Sequence, residues 1–106
     1  MSCRGQSSDV LDFMKVIYIT NYEQRLGILR NINKSQCGII RQVAYNILFN
    51  KSIELSEKDK NYMKRHSNSI KTLASRKVCL VQKKAVLVSK NLLIKRLAKI
   101  TIDYLS

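Results

Sequence analysis

Twelve cationic side chains and no carboxylate occupy the stretch from Lys60 to Ile102. Such a run cannot neutralise itself through the i,i+4 acid–base pairs that commonly dress a solvated helix. Self-repulsion on this scale costs stability, and a bound polyanion relieves it. The plainer alternative is a solvated basic face that keeps a small domain soluble. The side chains expected to neutralise phosphates are Lys58, Lys60, Lys64, Arg65, Lys71, Arg76, Lys77, Lys83 and Lys84, with Lys90, Lys95, Arg96 and Lys99 extending the patch. Lys supplies 13 of the 20 cations. An ammonium suits phosphates as a point charge, whereas Arg is the better bidentate reader of guanine. The expected chemistry is therefore backbone neutralisation with little sequence preference and a steep dependence on salt. Double-stranded DNA is favoured over RNA as the partner, although lysine rows do not by themselves distinguish the two backbones.

Other chemistry is sparse. His66 is the only imidazole and falls on an apolar helix seam, where a partly buried structural role is the first expectation and a phosphate or interface contact the second. Cys3, Cys37 and Cys79 are odd in number and widely spaced, with no C-x-x-C pair. Neither a zinc site nor a disulfide framework is expected. Cys37 and Cys79 read as small buried hydrophobes. Asp9, Asp12, Glu23, Glu54, Glu57, Asp59 and Asp103 form no metal set, and Gly5, Gly27 and Gly38 are isolated rather than part of a phosphate loop. No catalytic residue, metal or cofactor is expected, and the chain reads as non-enzymatic. Tyr18, Tyr22, Tyr45, Tyr62 and Tyr104 lie on or beside apolar faces, so packing is expected of them rather than base stacking.

The chain has 106 residues, a net charge of +13, 45% hydrophobic residues, no Pro and three Gly. That length suits one domain, and the apolar content argues against a disordered basic tail. Sandwiches and barrels need turn residues at short intervals, which this composition does not supply. Residues 1–50 carry a net +3 and residues 51–106 a net +10. The longest purely apolar runs are four residues, as in Ala85–Val88, far short of the roughly 20 that a membrane span requires. A soluble, unsecreted protein without a membrane span is expected, inside a cell or a particle assembled there.

The helical period places these residues. Residues 1–8 are polar and are expected to be disordered, with 9–106 forming a single helical domain. A first helix is expected from Asp9 to Ile19, with Leu11, Met14 and Tyr18 on one side and Phe13 and Ile17 beside them. A second, Tyr22 to Asn31, presents Tyr22, Leu26, Ile28 and Leu29. Ser35 reads as an N-cap, followed by the strongest core stripe of the chain: Ile39, Ile40, Val43, Ala44, Ile47 and Leu48. Ser56 caps a helix over 57–74, on which Tyr62, Met63, His66, Ile70 and Leu73 share one face between two basic rows. Val78, Val81, Ala85 and Val88 follow at helical spacing, with a strand over 85–88 as the alternative. Leu93, Leu97, Ile100 and Tyr104 mark a last helix. The sum is an all-α, compact bundle of five to six short helices, basic on one face. A core this small calls for oligomerisation or ligand binding.

From Leu29 to Ile100, roughly two-thirds of the chain, the sequence resembles a family of small lysine-rich core-type proteins of Maverick/Polinton (adintovirus-like) elements. The resemblance is carried by Ala44-Tyr45-Asn46-Ile47-Leu48-Phe49-Asn50, Leu55-Ser56-Glu57-Lys58, Met63-Lys64-Arg65, Ile70-Lys71-Thr72-Leu73-Ala74, Arg76-Lys77 and Lys84-Ala85-Val86-Leu87-Val88. The family is distantly similar to the precursor of the adenoviral core protein mu (protein X). In it a Gly-Gly and an apolar tail follow the last of these runs; here Lys90-Asn91 stands instead, before a charged amphipathic helix. The resemblance implies a virion-core or genome-packaging protein, acting on DNA in a virion interior or the nucleus of a host cell. It supplies no catalytic residue. Two other readings remain: an assembly protein of a capsid or larger complex that docks on an acidic protein, itself a homo-oligomer or not, and a helix-turn-helix regulator built from 36–50 and 57–74.

Overall fold

A computed structural model describes the backbone of residues 2–105 and the side chains of residues 9–105. Seven helices make up the described residues: α1 (Ser2–Ile19), α2 (Tyr22–Arg30), α3 (Lys34–Phe49), α4 (Glu57–Arg65), α5 (Ser67–Ala74), α6 (Leu80–Ser89) and α7 (Asn91–Leu105). The all-α expectation holds, and no strand occurs at 85–88, which lies within α6. α1 is described from Ser2 and not from the expected Asp9, so its backbone covers most of the segment 1–8 expected to be disordered, while the side chains of 1–8 lie outside the described residues.

Helix starts follow local hydrogen-bond chemistry. Asn21 opens α2 with its side-chain oxygen accepting from the Gln24 N–H at 2.8 Å, while the Gln24 side chain accepts from the Asn21 N–H at 3.1 Å. Asn33 and Gln36 repeat the same reciprocal box at the start of α3, at 2.8 and 3.2 Å. The cap of α3 is thus Asn33 rather than Ser35, because Asn33 has a Gln three residues on to complete the box and Ser35 does not. Such caps contribute about 0.5–2 kcal/mol each. Ser56 caps α4 as expected, accepting from the Asp59 N–H at 3.2 Å.

The helix expected over 57–74 is two helices. His66 ends α4 and precedes α5, and no side chain caps the second start. The expected seam survives the break, since Met63, Ile70 and Leu73 are all buried.

α7 is the central element and packs against α1, α2, α3 and α6, while α3 packs on α5. The C-terminal end of α1 meets the start of α7, so the two run antiparallel. The core gathers Met14 and Ile17 from α1, Leu29 from α2, Ile40, Val43 and Ala44 from α3, Ile70 and Leu73 from α5, Leu87 from α6, and Leu93, Ile94, Leu97 and Ala98 from α7. Each of the Met, Leu, Ile and Val side chains among them contributes about 1.5–3 kcal/mol on full burial. The radius of gyration, 12.8 Å, matches the value of about 13 Å expected of one packed body of this length.

Three expectations about packing are corrected. The valine stripe of α6 does not face the core: Val81 is 76% exposed and Ala85 is exposed, while Lys83 and Leu87 turn inward. Cys79 is exposed at the start of α6; Cys37 alone of the two described cysteines is buried. Tyr18, Tyr22, Tyr45 and Tyr104 stand at the surface, between 38% and 51% exposed, and only Tyr62 packs half-buried against the core.

The junction of α1, α2 and α7 is held by Arg25, which is 1% exposed. Its Nε donates to the Ile17 carbonyl at 3.1 Å, one terminal nitrogen to the Thr20 carbonyl at 2.8 Å, and the other to the Asn91 side chain at 2.6 Å. Asn91 donates in turn to the Tyr22 carbonyl at 3.1 Å. The guanidinium thereby serves carbonyls left without helical partners at the end of α1, sharing that of Ile17 with the Thr20 hydroxyl at 3.0 Å, where the helix dipole favours a cation. Burial lowers its pKa, an effect that Tyr22 opposes; the group stays cationic at any ordinary pH. Arg25→Met should therefore lower stability in urea unfolding by about 2–4 kcal/mol, since the Thr20 carbonyl and the Asn91 side-chain oxygen lose their donor at once and the Ile17 carbonyl keeps only the Thr20 hydroxyl. Asn91→Ala should cost less, and the double variant less than the sum, because the two act as one unit.

Candidate nucleic-acid interface

The expected phosphate contacts fall into distinct groups. On α4, Met63 faces inward, so Lys58, Lys60, Lys64 and Arg65 line the outer side and are exposed. Lys71 is exposed on α5, and Arg76 and Lys77 are exposed in the connection to α6. Lys99 is exposed on α7. Lys60 lies 3.9 Å from Glu57 across an exposed pair, too long and too wet to hold the ammonium. Lys60 and Lys64 share a helix with each other but not with Lys71, which stands beyond the break at His66.

Lys83 does not belong to the surface. It is 6% exposed and stands four residues before the fully buried Leu87, on the side of α6 that meets the core. Burial lowers its pKa, with Arg41 acting in the same direction and Cys37 opposing. Cys37 responds reciprocally: burial raises its pKa, while Lys83, Arg41 and Lys84 lower it. The expected Lys83/Lys84 pair is thus divided, with half-buried Lys84 and Arg41 of α3 forming the outer part of that group.

Arg96 is also engaged within the fold. It donates to Asp59 at 2.8 Å and lies 4.6 Å above the Tyr62 ring, joining α7 to α4. Lys95 lies 5.5 Å above the Tyr18 ring and joins α7 to α1. Both cations are half-buried, and each is committed to an aromatic face.

Lys90 stands between α6 and α7 and, with Arg65, bears on His66. The His66 pKa is lowered, first by burial, then by Lys90 and then by Arg65. The ring tilts against Tyr62 at 4.6 Å, and its Nδ1 is buried without a hydrogen-bond partner. A cleft of about 320 Å³ opens there, lined by Tyr22, Tyr62, His66, Lys90 and the first turn of α7. A larger groove of about 540 Å³ runs between the start of the described part of α1, α3 and the end of α7, with both Asp9 and Arg41 on its rim. Among the described residues, no three His, Cys, Asp or Glu side chains come together as metal ligands, and no helix is long and apolar enough to cross a membrane.

Arg25, Arg41 and the cleft residues Tyr22 and Asn91 were not singled out by charge counting. Periodicity carried a signal for two buried cations: Arg25 precedes Leu29 by four residues as Lys83 precedes Leu87, and both leucines are fully buried. Comparison with protein-family models, curated proteins and solved structures finds no match to this chain.

Two outcomes follow. Lys83→Met should leave stability unchanged or raise it by up to about 1 kcal/mol in urea unfolding, because a desolvated ammonium is exchanged for an isosteric apolar chain. His66 has a folded-state pKa below its unfolded value, so the unfolded state binds the proton more readily. Stability should fall as pH drops from 7.5 through 6.5 toward the lowered folded pKa, and His66→Gln should remove that part of the loss in thermal unfolding curves.

Proposed function

We propose that this chain is a non-enzymatic nucleic-acid-binding protein that neutralises the phosphates of double-stranded DNA, in the manner of virion-core or genome-packaging proteins. The observation that carries the reading is the acid-free stretch from Lys60 to Ile102, much of whose charge sits on exposed side chains. Lys64, Arg65, Lys71, Arg76, Lys77 and Lys99 are all exposed and have no carboxylate to answer them in the described structure. Lys58 and Lys60 extend the α4 group, and Lys84, Lys90 and Lys95 add half-buried charge. Lys83 is left out because its stem is in the core, and Arg96 because Asp59 holds it. The resemblance to core-type proteins of Maverick/Polinton elements supports the same reading and implies an intracellular, nuclear or virion setting.

A second reading, an assembly protein that docks on an acidic protein surface, is favoured by exposed apolar side chains: Val81 is 76%, Leu92 63% and Phe49 62% exposed. A helix-turn-helix is less well supported, since residues 50–56 part α3 from α4, longer than a tight turn, and the expected second helix breaks at His66.

Titration against duplex DNA at several salt concentrations tests the proposal. Binding should hold at about 50 mM salt and weaken steeply above it, with a log–log slope near −0.9 per phosphate neutralised. Replacing Lys64, Arg65 and Lys71 together with Ala should reduce that slope by about 2–3. Lys83→Met should leave it unchanged. No binding at about 50 mM salt overturns the reading, and a concentration-dependent oligomer in light scattering that ignores DNA favours the second.

A further inference from the structure

The cleft at the α4–α5 junction differs from the rest of the basic surface. Lys90 lines it together with His66, and Arg65 precedes His66 at the end of α4. Behind them lies a third cation, Arg25, joined through its 2.6 Å bond to Asn91 in the cleft wall. The first turn of α7 forms the same wall, and the opening N–H groups of a helix lack intrahelical acceptors and present positive partial charge. No Asp or Glu lines the cleft. Asp59, which approaches through Arg96 and Tyr62, is neutralised by its 2.8 Å pair. The site is therefore built for an anion.

It also has an aromatic side. Tyr62 is occupied, with Arg96 over its ring and His66 tilted against it. Tyr22 is free: its side chain is 51% exposed, and Leu92, 63% exposed, lines the same cleft. These two offer a flat apolar surface beside the cationic end. At about 320 Å³ the cleft is at the small end of the range for ligand sites, a size suited to one nucleotide unit and not to a base pair.

We propose that this cleft binds a single nucleotide, with its phosphate at Lys90 and the first turn of α7 and its base against Tyr22 and Leu92. The nucleotide comes either free from solution or as the terminal unit of a strand. The assignment of the cleft rests on its own chemistry; only the second source rests on the proposed nucleic-acid function.

His66 gives a direct readout, because the sole histidine of the chain produces an unambiguous imidazole signal in NMR. Adenosine 5′-monophosphate should shift that signal saturably with a dissociation constant in the low millimolar range or below, and should raise the pH midpoint of His66. Inorganic phosphate and adenosine should each bind more weakly than the nucleotide. Lys90→Ala should weaken the nucleotide about ten-fold, and the milder Lys90→Gln should weaken it also. Tyr22→Ala should weaken the nucleotide but not phosphate; its ring is exposed, and the Tyr22 carbonyl that anchors Asn91 is retained. A 5′-phosphorylated single strand that binds more tightly than the mononucleotide identifies the strand as the source; equal binding identifies the free nucleotide. No saturable response by about 10 mM nucleotide overturns the proposal, as does a phosphate response that equals the nucleotide's and ignores Tyr22→Ala. Duplex titration separates the two readings: duplex binding without a His66 response removes the cleft alone, and a His66 response without duplex binding removes the interface alone.

Discussion

The architecture turns on a cation that has no anion. Arg25 meets two main-chain carbonyls and one side-chain amide, and among the described residues no carboxylate touches it. Burying a guanidinium this way is tolerable because its donors point at the end of α1, where carbonyls lack helical partners and the dipole is negative. One side chain thereby fixes where α1 stops, how α2 leaves it and where α7 begins. α7 then packs against four other helices, so the register set at Asn91 propagates through the core. The cleft beside His66 is a by-product of the same junction, since Asn91 and Tyr22 serve both.

The stripes of α3 and the first part of α7 were legible in the sequence because their apolar residues leave no ambiguity about which side is buried. Val43, Ala44 and Ile47 are buried, as are Leu93, Leu97 and Ile100. α6 was not legible, for a physical reason: its apolar residues are spread round the helix between Gln82, Lys83, Lys84 and Ser89 and form no single stripe. With Val on one side and Leu80 and Leu87 on the other, period alone does not choose a face. Packing chose the larger, γ-branched leucine and carried the long stem of Lys83 in with it. Charge counting therefore overstated the surface by one lysine at this helix and, through Asp59, by one arginine on α7.

The break at His66 was hidden because the apolar spacing continues smoothly across it. Only the hydrogen bonding changes, where the His66 N–H is shared among carbonyls at the end of α4. The caps were more legible than they first look. Asn21-x-x-Gln24 and Asn33-x-x-Gln36 are the same box in amide form, twelve residues apart. The cleft could not be read from sequence at all, since Tyr22 and Lys90 are brought together by helices far apart in the chain.

The choice of neutral acceptors for Arg25 separates two responses to the medium. Mobile ions screen the attraction between exposed lysines and phosphate strongly. They act far less on a guanidinium enclosed by carbonyls, and no acid in that joint titrates. Brine strong enough to strip a polyanion from α4 and α5 thus leaves the scaffold's main hinge-pin in place. Under the proposed function, a bound polyanion would be shed while the shape is kept, so that attachment is reversible without a refolding step.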